Sequence, residues 1–383
     1  MRNQTPPPNT ASNTEMSDRI GDWIQTYKAP FPYFGGKSKV AHLVWDRFGD
    51  VANYVEPFAG SLAVLLSRPH EPKIETVNDL DCYLANFWRA LKTDPDAVAA
   101  AADWPVNEAD LHARHRWLVD QDAFRERMKT DPDYFDAKIA GWWVWGISQW
   151  IAGARGRIGL AERMPGALRV ASMRSVHSWA SVDTACIVPL SQGNYSASAA
   201  PRGGGGLPRK KPCVSGIRGI HAGRFWGGDG GRLGPLYEYF RDLAARLRYV
   251  RVCCGDWARV VTPSVTECNG LTGVLLDPPY AADRDEVYSH DSMDVSHAVR
   301  EWALSNGDNP MLRIALCGYE GEHAMPDSWT CIEWKANGGY ANQSNAETRG
   351  CENATKERIW FSPHCLKPEE AQPSLFDEVA FCE

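Results

Sequence analysis

Apolar runs bounded by turn residues recur at Tyr54–Phe58, Ile74–Val77, Tyr249–Cys254, Val274–Leu276, Met311–Cys317 and Arg358–Phe361, each with the length and make-up of a β-strand. Over Val40–Phe48, Tyr83–Leu91, Tyr237–Leu247 and His297–Leu304 the apolar residues return instead at three- and four-residue spacing, the mark of a helix with one buried face. This alternation predicts an α/β domain built on a mainly parallel sheet. Roughly 150 residues, from about Thr93 to Leu243, separate the second predicted strand from the third, where a parallel crossover needs about a dozen. A large, partly helical insertion is therefore expected.

The insertion has two characters. In Ala137–Ala152, Ile139, Trp143, Ile147 and Trp150 repeat at helical spacing, which reads first as a helix packed into a core and second as a platform for stacking bases. From about Ala154 to Gly234 the chain turns glycine-rich, with Gly203–Gly206 and Gly227-Gly228-Asp229-Gly230-Gly231, a composition that favours loops. Between Pro201 and Arg232 lie Arg202, Arg209, Lys210, Lys211, Arg218, Arg224 and Arg232 against a single acid, Asp229. Glycine and arginine together let backbone and charge approach phosphates closely, so this segment is the candidate DNA-contacting surface; a loop without a ligand is its alternative.

Composition narrows the class. The chain has 383 residues, 44% hydrophobic and 23% charged, and no apolar run long enough to span a bilayer, so a soluble protein is expected. Residues 1–26 are polar and proline-containing without the apolar core of a secretory signal, and they are expected to form a flexible tail. The 11 cysteines include no Cys-x-x-Cys pair, which favours reduced thiols in a cytoplasm over disulfides or a metal site. A net charge of -7 argues against indiscriminate coating of nucleic acid, although it says little about one cleft.

The candidate chemistry gathers where predicted strands end. Ala29–Lys39 (APFPYFGGKSK) offers Tyr33 for stacking, Gly35-Gly36 for a tight turn and Lys37 as a donor. Tyr54–Ser61 (YVEPFAGS) is a strand followed by a small-residue turn, the place where doubly wound sheets take nucleotide-like ligands. No Gly-x-Gly-x-x-Gly is present, which argues against a pyrophosphate. Asn78-Asp79 follows about twenty residues later, where an acid accepts from ribose hydroxyls. A ligand with a ribose and no pyrophosphate fits S-adenosylmethionine. Asp256 and Trp257, after the third strand, suit the amino edge and face of its adenine, or else a helix cap and a core aromatic. The fourth strand ends in Asp277-Pro278-Pro279-Tyr280, an acid and carbonyls beside an aromatic face, a grouping suited to an exocyclic amine on a planar base.

Taken in order, Tyr33-Phe34-Gly35-Gly36-Lys37, Glu56-Pro57-Phe58-Ala59-Gly60-Ser61, Asn78-Asp79-Leu80 and Asp277-Pro278-Pro279-Tyr280 resemble the Dam-type (alpha-group) family of DNA adenine-N6 methyltransferases. The resemblance covers roughly residues 29–95 and 235–362. It implies a Rossmann-like methyltransferase fold, divided as a catalytic domain of residues 27–95 and 235–362, a target-recognition insertion of residues 96–234, and a tail of residues 363–383. It further implies that Tyr33, Gly35, Gly36 and Lys37 border the methionine end of S-adenosylmethionine, Glu56 to Ser61 its middle, Asn78 and Asp79 the ribose, and Asp256 and Trp257 the adenine. Asp277, also beside the cofactor, and the Pro278 carbonyl would accept from the N6 amine of a flipped-out adenine in double-stranded DNA, with Pro279 shaping the turn and Tyr280 stacking on the base. No metal is implied. The insertion carries no family recognition residue, so the DNA sequence preference is not read here.

Two further readings complete the picture. Gln372-Pro373-Ser374-Leu375-Phe376 resembles the short peptide by which bacterial DNA enzymes bind the replicative sliding clamp, with Gln372, Leu375 and Phe376 as its anchors; docking of the two apolar side chains on the protein's own surface is the alternative. Within enzymes, cytosine-N4 and protein-glutamine methylation are the rivals, and the leading aspartate of the tetrapeptide leans toward adenine. A catalytically idle DNA-binding protein on the same fold is the rival from outside enzymes.

Overall fold

A computed structural model describes residues 27–31, 33, 36–105, 107–149, 220, 234–279, 290–334 and 357–368. The chain begins with helix α1 (Ala41–Phe48), strand β1 (Asn53–Glu56), the short α2 (Ala63–Leu66) and β2 (Ile74–Asp79). Five helices follow: α3 (Cys82–Thr93), α4 (Pro95–Ala102), α5 (Glu108–Val119), α6 (Asp122–Thr130) and α7 (Ala137–Gln149). After α8 (Gly234–Leu247) come β3 (Val250–Cys254), a 3-10 turn at Trp257–Val260, α9 (Pro263–Thr266), β4 (Thr272–Leu276), α10 (His290–Asn306), β5 (Leu312–Tyr319), β6 (Thr330–Glu333) and β7 (Glu357–Phe361).

The strands form one seven-stranded sheet in the order β3-β2-β1-β4-β5-β7-β6. From β3 through β5 every pairing is parallel, with Val55 of β1 opposite both Thr76 and Val274; β7 then pairs antiparallel with β5 and β6. The expected mixed α/β architecture with a mostly parallel sheet is present. Sequence order reverses on either side of β1, so the crevice at the carboxyl ends of β1 and β4 is the switch point where such sheets bind ligands.

Residue alternation covers both sheet faces. Tyr54, Leu275, Ala315 and Cys317 enter one apolar cluster, while Val55, Val274, Leu276, Ile314 and Leu316 enter the other. The second face is closed mainly by Val299 and Ala303 of α10. The first is closed by α1, whose Ala41, Val44, Trp45 and Phe48 fall at helical spacing, and by α3 and α8.

The helices α4 to α7, which fall within the predicted insertion, extend that first layer. Val98, Leu118, Phe124 and Trp143 share its apolar cluster with Trp88 and Phe240. Asp94 caps α4 by accepting from the Ala97 N–H at 3.1 Å, with Pro95 in the first turn, and Asn107 caps α5 through the Asp110 N–H at 2.7 Å. The tryptophan-rich α7 crosses α4 at Gly141, where an added Cβ would stand 2.5 Å from the Ala101 Cβ. Trp143 and Trp145 are wholly buried there, so they serve as core and not as a stacking surface. Trp150 lies outside the described residues.

At the amino edge of β2, Glu75 is 2% exposed and takes hydrogen bonds from two guanidinium groups, Arg68 at 3.2 Å and Arg246 at 2.7 and 2.9 Å. Arg246 also donates to the Leu65 carbonyl and Arg68 to that of Val51, which ties α2, β2 and α8 together. Replacing Glu75 by Ala leaves the buried Arg246 without its anion and Arg68 with only Asp50 at 3.6 Å, and we expect a loss of about 3–5 kcal/mol in urea denaturation. A loss below about 1 kcal/mol would show that the cluster contributes little.

Candidate functional site

Five chain segments converge at the carboxyl edge of the sheet. Glu56 ends β1 and leads into the turn Pro57–Ser61, in which Gly60 has φ 48°. An added Cβ at Gly60 would also lie 2.8 Å from Cε1 of Tyr33, so glycine is what lets the aromatic ring close on the turn. The turn is fixed from three sides: the Trp88 indole donates to the Gly60 carbonyl at 3.1 Å, the Ala59 N–H to the Asn78 carbonyl at 2.8 Å, and the Gly60 N–H to the Asp79 carboxylate at 3.1 Å.

Asp79 ends β2. Its second oxygen accepts from the Asp81 N–H at 2.9 Å, and burial raises its pKa against the pull of these backbone donors. Beside it, the Asn78 amide donates to the carbonyls of Pro57 and Gly255, both at 3.0 Å, clamping the ends of β1, β2 and β3. Its Oδ1 is buried with no hydrogen-bond partner among the described residues. After β3, Asp256 accepts from the Ala258 N–H at 2.8 Å and so caps the 3-10 turn, while the Trp257 ring stacks on Phe58 with centroids 6.2 Å apart. The capping role anticipated for Asp256 is therefore present, and the residue also lines the cavity.

Asp277 follows β4 directly, and its Oδ1 lies 2.9 Å from the Lys37 ammonium. Lys37 is only 5% exposed. Burial alone would lower its pKa, but the charge of Asp277, the nearby Cys317 and Glu357, and the Asp277 hydrogen bond together hold it above the ordinary lysine value. The ammonium also sits 5.7 Å from the Trp334 ring centroid. Glu56, 4% exposed, accepts the Tyr54 hydroxyl at 3.0 Å. Desolvation pushes its pKa well up, against the Tyr54 hydrogen bond and reinforced by Asp277, Glu75 and Asp79.

These segments line one cavity. Tyr33, Gly36 and Lys37, the whole run Glu56–Ser61, Asn78 and Asp79, Asp256 and Trp257, and Asp277, Pro278 and Pro279 all face it. Gly35, Tyr280, the basic residues Arg202, Arg209, Lys210, Lys211, Arg218 and Arg224, and Gln372, Leu375 and Phe376 lie outside the described residues. Leu80 of the Asn78-Asp79-Leu80 motif is an exposed part of the lining, and the cavity also has walls that the motifs did not indicate: Val295, Tyr319 and Glu357. Tyr319 and Glu357 stand opposite each other where β5 ends and β7 begins. Strand-end position was the available signal for both.

The matching stretch of a known family begins at the cavity's own tyrosine. Residues 33–131 match the D12 class N6 adenine-specific DNA methyltransferase family. The match runs from the Tyr33–Lys37 segment through the glycine turn and Asp79 to the end of α6, and it agrees in family with the resemblance drawn from the motifs. The D12 class methylates adenine N6 in DNA, and the match supports that activity, with a methyl donor and a DNA substrate, for this chain. No curated protein matches the chain.

The raised pKa of Glu56 gives a pH signature. The folded state holds this proton above the unfolded-state value of about 4.3, so its contribution to stability is complete below that value and falls as pH rises. Comparing the thermal midpoints of wild type and Glu56→Gln from pH 5 to 8 should show the wild type losing ground to the variant. Parallel curves would mean that Glu56 is ionised throughout.

Proposed function

We propose that this cavity binds S-adenosylmethionine beside a flipped-out adenine of double-stranded DNA and that Asp277 directs methylation of the adenine N6. The observation that carries this reading is the junction of Asp277 with the β1 glycine turn and Asp79 in one cavity at the sheet's switch point. The residues present suit that cofactor: a carboxylate at the end of β2 for ribose hydroxyls, a turn with no side chain at Gly60, the aromatic faces of Phe58 and Trp257 for adenine, and Tyr33, Gly36 and Lys37 toward the methionine end. The unpartnered Asn78 Oδ1 is a further acceptor in the same wall. Bound there, S-adenosylmethionine supplies an electrophilic methyl group.

The remaining work falls to the chain. The N6 amine is conjugated with its ring and is a weak nucleophile until its protons are held. The Asp277 carboxylate and the Pro278 carbonyl accept hydrogen bonds from its two N–H groups and turn the lone pair toward the donor, with the base stacked on Tyr280. Flipping the adenine out of the duplex costs a few kcal/mol of unstacking, which the base contacts and the basic residues Arg202 to Arg224 on the phosphates offset. In a cell without a nucleus, an enzyme acting on DNA in this way works in the cytoplasm. No helix among the described residues is long and apolar enough to cross a membrane.

With labelled methyl donor and genomic DNA, Asp277→Ala should lower methyl transfer by about 10³-fold or more while leaving cofactor binding measurable in calorimetry. Asp79→Ala should weaken S-adenosylmethionine binding by about 10–100-fold, the worth of a hydrogen bond to a charged group. Retained turnover in the first, or unchanged affinity in the second, would overturn the corresponding role. The tail reading has its own test: Leu375→Ala with Phe376→Ala should abolish sliding-clamp pull-down and leave methylation of naked DNA intact, and a clamp contact that persists would remove it.

A further inference from the structure

Lys37 is held in a setting that the adenine reading alone does not explain. If the ammonium served Asp277 by itself, it would neutralise the carboxylate whose acceptor strength the reaction needs. A second buried acid changes this balance. Glu357, 5% exposed, opens β7 and lines the same cavity, and its charge acts on Lys37 alongside that of Asp277. The other ionisable groups facing this ammonium and carboxylate are Cys317 on β5, Glu56 on β1, and Tyr33 in the N-terminal segment. Burial pushes the Cys317 thiol, the Glu56 carboxyl and the Tyr33 hydroxyl up, toward their neutral forms, while Glu357 stands in the same cavity wall as Lys37 and Asp277.

We infer that Glu357 is a positioning residue for the methyl-transfer reaction, acting through Lys37: it draws on the shared ammonium so that Asp277 is held in one orientation yet keeps the negative charge needed to accept from the substrate amine. The inference rests on the adenine-N6 reading of this cavity. The fold supplies the arrangement because β7 runs antiparallel to β5, with Glu357 opposite Tyr319, so the first residue of β7 arrives at the edge where β4 and β5 end. A β7 parallel to its neighbour would bring its last residue there instead.

A double-mutant cycle tests this with Glu357→Gln and Lys37→Met in the full-length protein, read in single-turnover methyl transfer to genomic DNA and in thermal unfolding without cofactor. Glu357→Gln should slow methyl transfer about tenfold, leave S-adenosylmethionine affinity within about threefold, and change the rate less than twofold once Lys37 is already Met. The unfolding midpoints should show the same coupling, the double variant losing less than the sum of the two single variants. Glu357→Asp, which keeps the charge, should recover part of the rate and covers the case in which the glutamine variant folds poorly. Equal rate losses in both backgrounds, or a glutamate whose removal leaves the wild-type rate, would overturn the inference. Wild-type protein that places no methyl group on adenine N6 would instead overturn the reading beneath it.

Discussion

A buried ammonium must have its charge answered nearby, and in this protein the answer to Lys37 comes from Asp277 across 2.9 Å. These two residues stand far apart in sequence, one before the first helix and one after the fourth strand. Their pairing requires the N-terminal segment to lie over the carboxyl ends of β1 and β4, and that requirement brings Tyr33 onto the Gly60 turn. The same edge is clamped independently by Asn78, whose single amide group holds the ends of β1 and β3 against β2. The cavity walls are thus held by buried polar contacts, and dipoles fixed in that way act on a bound charge without having to reorganise.

Much of this was legible in the sequence because strand ends are short-range features. Apolar runs set six of the strands, and what followed each one (Glu56–Ser61, Asn78-Asp79, Asp256-Trp257, Asp277-Pro278-Pro279) arrives at one edge once the strands pair in parallel. The edge strand β6 escaped notice for a physical reason: its Thr330 to Glu333 are four mostly exposed residues with no apolar run to betray them. Helices α4 to α6 were covered only by the general expectation of a partly helical insertion and were not delimited one by one. Their polar sides are large and α4 is mostly alanine, so the capping residues Asp94 and Asn107 were stronger signals than periodicity.

Tyr319 and Glu357 were missed differently. Each stands at the end of a strand that the sequence did predict, but neither belongs to a motif, and only the antiparallel return of β7 places Glu357 in the cavity. Long-range topology was the missing information. Asp256 meets the capping reading, and it lines the cavity as well. The tryptophans of α7 resolved the other way, with Trp143 and Trp145 buried as core.

The role proposed for Asp277 turns on which exocyclic amine its carboxylate would hold. Mass spectrometry of nucleosides from unmodified DNA incubated with the protein and S-adenosylmethionine answers that directly. N6-methyladenine is the expected methylated product. N4-methylcytosine in its place, or DNA that returns without any methylated base, would contradict that role.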